Sequence, residues 1–223
     1  MSRTYYKYDP VFVCLERGVT LMRSEDYKAA VRMCREAGFS ENRVMVLCKL
    51  LLESYREKYL NAMEEGEIRP MTPDEIEASK RRCRDLFLYL FSRPVEESLE
   101  EQQALIDELI KLIWFKDKID MILDQLLNFR GAGNGYVYKT IIKMCYFDDV
   151  YRTNKEIYES LGAGVKRSNF YAKRDTGILL FGIKMWKYAL RRQKEEMEAG
   201  LIPYKELPHN MEDLSKLTPV EKL

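Results

Sequence analysis

Apolar residues recur every three to four positions along nearly the whole chain, whereas alternating runs bounded by turn residues are almost absent. That spacing puts one stripe of each segment on the core side of a helix, so the fold class it predicts is all-α. Start and stop signals divide the pattern. Ser24 and Ser40 can cap helices over residues 25–36, stopped by Gly38, and from 41 through the apolar run 44–52 to 65, stopped by Gly66. Thr72-Pro73-Asp74-Glu75 joins a capping threonine, a proline at the first helical position and a glutamate that reaches back to the cap; its helix should end before Pro94. Ser98-Leu99-Glu100-Glu101 is another capping box, opening a helical stretch to about Phe129. The centre of that stretch, residues 109–115 (LIKLIWF), is apolar almost all round, which predicts the spine of an amino-terminal bundle or else a self-association surface.

A length of 223 residues with 46% hydrophobic residues supports one sizeable domain or two small ones and excludes wholesale disorder. No apolar run approaches the roughly 20 residues that a bilayer crossing needs. Residues 1–10 are tyrosine-rich and polar, unlike a secretory signal, so the expected location is cytoplasmic, with no membrane partner. The five cysteines, Cys14, Cys34, Cys48, Cys83 and Cys145, are odd in number, widely spaced and set among apolar neighbours. They read as buried free thiols, because a zinc site needs ligands clustered at two- to four-residue spacing and a disulfide framework suits short secreted chains.

Enzyme signatures are weak. The only histidine, His209, lies in a segment bounded by Pro203, Pro208 and Pro219, away from any serine or cysteine it could activate. The one glycine-rich stretch, residues 131–135, follows a predicted helix rather than a strand, so it reads as a linker or hinge and not as a phosphate-cradling loop. Paired carboxylates such as Glu96-Glu97 and Asp148-Asp149 decorate helix surfaces in this way routinely. The expectation is therefore a protein that is not an enzyme and that takes no metal and no cofactor.

Residues 136–200 carry more information. Three helical signals follow one another closely: 136–147, with Ile141, Ile142 and Cys145 on its core side; a short helix opened by the capping box Thr153-Asn154-Lys155-Glu156 and stopped by Gly162; and a third helix capped by Ser168 and running to about Ala199. Two helices with a short, basic turn between them are what a helix-turn-helix requires. Ile157, Leu161, Val165 and Phe170 would hold the crossing point. The first turns of the third helix would then offer Asn169, Ala172, Lys173 and Thr176 to the bases of a major groove, while Lys155, Lys166, Arg167, Ser168, Tyr171 and Arg174 would grip phosphates. Charge divides along the same line. Residues 130–194 hold fourteen Lys and Arg against five Asp and Glu, a net of +9 in a chain whose formal charge is +1, so the remainder is at −8. A basic unit beside an acidic one is the electrostatic footprint of a DNA-binding module joined to a non-binding module.

The segment 153–182, TNKEIYESLGAGVKRSNFYAKRDTGILLFG, also resembles the carboxy-terminal helix-turn-helix of ArpU- and RinA-type phage late-transcription regulators, which are themselves similar to the promoter-reading fourth region of bacterial sigma factors. Glu156, Ile157, Leu161 and Gly162 match its core, and Gly164, Val165, Arg167, Ser168 and the aromatic pair Phe170-Tyr171 match the start of its second helix. The sequence departs from the pattern in a turn about two residues longer and in Gly177 inside the second helix, where glycine costs about 1 kcal/mol relative to alanine. The resemblance implies a phage- or prophage-encoded, sequence-specific transcriptional regulator acting on double-stranded DNA. The division that follows is a helical bundle over 1–130 for oligomerisation or partner binding, a helix-turn-helix domain over 136–200 and an extended tail over 201–223. RNA polymerase or another protein, and a second copy in a homodimer, are the expected protein partners. The competing expectation is an all-helical interaction or scaffold protein whose helix-turn-helix is architectural only.

Overall fold

The computed structural model describes residues 24–59, 72–92, 99–111, 113–129, 132–148, 150–162 and 167–203. Among them the chain is all-α, as the spacing predicts, with eight α-helices, one π-helical turn and no strand. The helices are α1 (Glu25–Glu36), α2 (Glu41–Ser54) continued by the π-helical turn Tyr55–Tyr59, α3 (Pro73–Ser92), α4 (Leu99–Lys111), α5 (Ile113–Leu126), α6 (Ala132–Tyr146), α7 (Asn154–Ser160) and α8 (Arg167–Glu198).

Local chemistry sets most of these ends. Ser24 Oγ accepts from the Tyr27 amide at 3.2 Å, and α1 is closed by Gly38 at φ 80°, a left-handed position that suits glycine. Ser40 precedes α2 but its hydroxyl makes no capping bond. At α3 the Glu75 carboxylate accepts from the Thr72 amide at 2.9 Å while Thr72 Oγ1 accepts from the Glu75 amide at 3.3 Å, a complete capping box. The expected single stretch from 99 to 129 is two helices, α4 and α5, on either side of residue 112.

The spine of the molecule is α8; in the 109–115 region Leu109, Ile110 and Phe115 are buried in the core, as the apolar run predicts. Residues 176–183 of α8 are buried without interruption, and the helix packs against α1, α2, α3, α5 and α6. The reason is written in its middle, GILLFGI, which is apolar on every face and carries two glycines where neighbours come closest. A β-carbon on Gly177 would stand 2.8 Å from Ile142 Cγ1 of α6; one on Gly182 would stand 2.6 Å from Val44 Cγ1 and collide with Cys48 Sγ, both on α2. The glycine that weakens an isolated helix at 177 is what lets α6 lie against this one.

Two further expectations change. The glycine-rich stretch is not a hinge: α6 begins at Ala132, and Gly135 is buried with the Leu127 carbonyl oxygen only 2.5 Å from where its β-carbon would be. Glycine there allows the end of α5 and the start of α6 to cross at backbone contact. The boundary expected between 1–130 and 136–200 does not divide the core either, because one apolar cluster runs from Ala29 of α1 to Ala189 of α8. Phe39, just beyond α1, meets Trp186 edge-on with ring centres 4.3 Å apart, and Phe147 bridges Tyr55 and Phe181 at 5.0 and 6.0 Å.

Cys34, Cys48, Cys83 and Cys145 are buried free thiols. No helix among the described residues is long and apolar enough to cross a membrane. The expectations for Cys14, for Val165 and Lys166, for His209 and for most of the tail fall outside the described residues.

Candidate nucleic-acid interface

The short helix α7 is built from its cap. Thr153 Oγ1 accepts from the Glu156 amide at 3.3 Å, and Glu156 Oε2 accepts from the Thr153 amide at 2.6 Å and its hydroxyl at 2.8 Å. Those two donors hold the Glu156 carboxyl below the usual carboxylate range. Gly162, at φ 82°, ends the unit. A seven-residue helix cannot stand alone, and α7 is fixed by packing on α6 and α8. At the joint the Tyr158 ring lies 6.1 Å from that of Phe170, and Ile157 and Phe170 are both fully buried. Upstream, an Arg56 guanidinium N–H donates to the Cys145 carbonyl and the same group lies 4.5 Å from the centre of the Tyr151 ring, so the π-helical turn after α2 pins the connection between α6 and α7.

The helix after the turn begins at Arg167, so Ser168 stands inside α8 rather than at its cap. Arg167, Asn169 and Ala172 are exposed, Tyr171 and Lys173 half-buried. Lys173 Nζ lies 5.6 Å from the centre of the Tyr138 ring on α6, within the range of a cation–π contact. On α7, Lys155 is exposed and 3.9 Å from Glu159, a surface pair of little energetic weight.

Two predicted contacts are corrected. Thr176 is fully buried and its hydroxyl donates to the Ala172 carbonyl at 2.8 Å, so it offers nothing to a base. Arg174 is buried too: its guanidinium lies 5.1 Å from the centre of the Tyr171 ring, Nε is 3.7 Å from Asp175, and its charge acts on Cys145 and Tyr146 of α6. Both corrections have one cause. After two turns α8 enters the body of the protein: Arg174 turns toward α6, and Thr176 opens the run 176–183 that is buried without interruption. Tyr138 is the residue that sequence reasoning missed; only the packing of α6 beside α8 reveals its place under Lys173.

The exposed side chains of this end of α8 thus lie within its first two turns, residues 167–173, roughly 10 Å of helix at 1.5 Å per residue, with Phe170 among them turned into the core. The major groove of B-DNA is about 12 Å wide, and helix-turn-helix proteins read bases with the amino-terminal residues of the second helix. Among the described residues no group of three His, Cys, Asp or Glu side chains could hold a metal ion. Comparison with protein families, with curated proteins and with solved structures finds no match for this chain.

Proposed function

We propose that the protein is a DNA-binding regulator that presents α7 and the first two turns of α8 to duplex DNA. One observation carries the reading: α7 rests on α8 through the Tyr158–Phe170 ring contact beside buried Ile157, while Arg167, Asn169 and Ala172 stay exposed at the start of a helix whose middle is buried in the core. Asn169 is the base-reading side chain, since its amide matches the donor–acceptor edge of adenine, and Ala172 is small enough to admit a thymine methyl. Arg167 and Lys155 contact phosphates, and Lys173 reaches base or phosphate by leaving the Tyr138 ring. The transcriptional role and the phage association rest on the resemblance of residues 153–182 alone.

Fluorescence anisotropy with promoter fragments and mixed-sequence duplexes tests this. Arg167→Ala should weaken binding to every duplex and reduce the salt slope by about 1, whereas Asn169→Ala should change sequence preference and leave that slope unchanged. Thr176→Val should bind as the unaltered protein does. Absence of salt-sensitive binding at low ionic strength rejects the reading, and stable self-association indifferent to DNA would favour an architectural role instead.

A further inference from the structure

The first described helix, α1, lies beside α8 and is tied near its start to α6. There Asp26 Oδ2 of α1 accepts from the Tyr138 hydroxyl at 2.5 Å and from Asn134 Nδ2 at 3.1 Å, both on α6, and the Tyr138 ring is the one approached by Lys173. Further along, Phe39 meets Trp186, the Cys34 thiol feels the charge of Lys187, and Lys184 shares a shallow groove with Ala29, Arg32, Met33 and Glu36 of α1.

This arrangement assembles positive charge from two parts of the chain that the sequence separates. Lys28, Arg32 and Arg35 follow one another at i, i+4 and i+7, so α1 carries them on one stripe, and all three are exposed. Across the groove stands Lys184, half-buried, and Lys187, exposed, follows it three residues on along α8. The carboxylates near this surface are Glu25, bonded to Lys28 at 2.7 Å, the exposed Glu36, and Asp26 and Glu41, which are held by the Tyr138 and Tyr27 hydroxyls, so the five cations outnumber them by one. None of Arg32, Arg35, Lys184 and Lys187 forms a salt bridge with another described residue. Burial and the neighbouring Lys187 charge hold the Lys184 pKa below the usual lysine range, as expected where like charges meet without a counter-ion.

The direction of this surface matters. Asn169 and Lys187 are eighteen residues apart on one helix, about five turns, so their side chains leave α8 on the same side about 27 Å apart. A duplex advances 3.4 Å per base pair, so that distance is about eight base pairs. We infer that the surface formed by Lys28, Arg32, Arg35, Lys184 and Lys187 is a second phosphate-binding surface that grips duplex DNA flanking the site approached by Asn169. The flank position rests on the helix-turn-helix reading; the polyanion surface itself does not.

The test compares mixed-sequence duplexes of about 30 and about 12 base pairs, with binding measured by anisotropy as salt is raised. The combined substitution Arg32→Gln, Lys184→Gln and Lys187→Gln removes three phosphate partners. With each contact contributing about 0.9 to the salt slope, the slope should fall by about 2.7 on both duplexes, because even about 12 base pairs span about 41 Å, more than the distance of about 27 Å between Asn169 and Lys187. Circular dichroism verifies that the variant is folded. An unchanged slope on the longer duplex, with Arg167→Ala still weakening binding, overturns the inference and spares the helix-turn-helix reading. If Arg167→Ala and Asn169→Ala have no effect but the triple variant lowers the slope, the surface stands alone as a polyanion site and the helix-turn-helix reading fails. If no duplex binds at low salt, both are overturned.

Discussion

Arg84 of α3 and Glu196 of α8 form an ion pair buried from both sides, with 5% and 2% of their side chains exposed. Arg84 also bonds Asp85 at 2.7 Å, and Glu196 accepts from Arg192 Nε at 3.0 Å, with Arg81 Nε 3.7 Å away. Arg192 in turn pairs with Glu77, so the carboxylate joins α3 to the last turns of the spine. Removing the shared acceptor leaves several guanidinium groups facing each other, whereas removing Arg84 leaves Glu196 with Arg192. Glu196→Gln should therefore cost about 3–5 kcal/mol, at the level of a broken buried pair, and Arg84→Met distinctly less. Urea unfolding midpoints check the order, and an Arg84→Met that is the more destabilising of the two would contradict it.

The glycines of α8 make a separate prediction. Alanine gains about 1 kcal/mol over glycine in a helix interior, but overpacking a core costs about 1–3 kcal/mol. At Gly182 the new methyl group meets Cys48 Sγ and Val44 Cγ1 in a fully buried site, so Gly182→Ala should be net destabilising. Cys48→Ala vacates that space, and the double variant should be more stable than the sum of the two single effects predicts. Strict additivity in thermal or urea unfolding would show that α2 is not held at this distance by Gly182.

Burial pushes the thiols of Cys34 and Cys83 up to about 12 and that of Cys145 to about 11, and it raises Cys48 as well. Alkylation needs the thiolate, which these groups do not form near neutral pH. In the native protein all four should resist iodoacetamide at pH 8 and react fully once urea unfolds the chain. Mass spectrometry of the labelled peptides reads this directly. Fast native labelling at Cys48 would mean that α2 leaves Gly182 on the labelling timescale.

What sequence reasoning recovers here is what a few neighbouring residues determine. The caps at Ser24, Thr72 and Thr153 and the stops at Gly38 and Gly162 are bonds or dihedral preferences within three residues, and each is where the spacing predicts it. The role of α8 depends on partners far away in the chain. Gly177 and Gly182 look like costs until Ile142, Val44 and Cys48 are seen against them, and the GILLFGI run is apolar on every face just as LIKLIWF is. The candidate interface divides in the same way. The exposed Asn169 and Ala172 follow from helical spacing, whereas the burial of Thr176 and Arg174 follows from where α8 enters the core, which spacing does not encode.

Lys118 of α5 supplies the pH-dependent prediction. Only 3% of it is exposed, and its Nζ lies 3.2 Å from the centre of the Tyr188 ring and 3.2 Å from Met121 Sδ. Burial foremost, and then Arg191, lower its pKa to about 8 from the ordinary lysine value of 10.5. Below about pH 8 both folded and unfolded chains carry the charge, and the folded chain bears the whole cost of burying it. Between about 8 and 10.5 the folded chain has shed the proton that the unfolded chain still holds, so stability rises with pH across that window. Lys118→Met lacks this titration and should be the more stable form at pH 7. The gap should close by about 3 kcal/mol as pH climbs to 10.5, since one pKa unit is worth about 1.4 kcal/mol. Urea midpoints of the two proteins across that range measure it, and a gap that stays constant would mean that Lys118 keeps its ordinary proton affinity inside the fold.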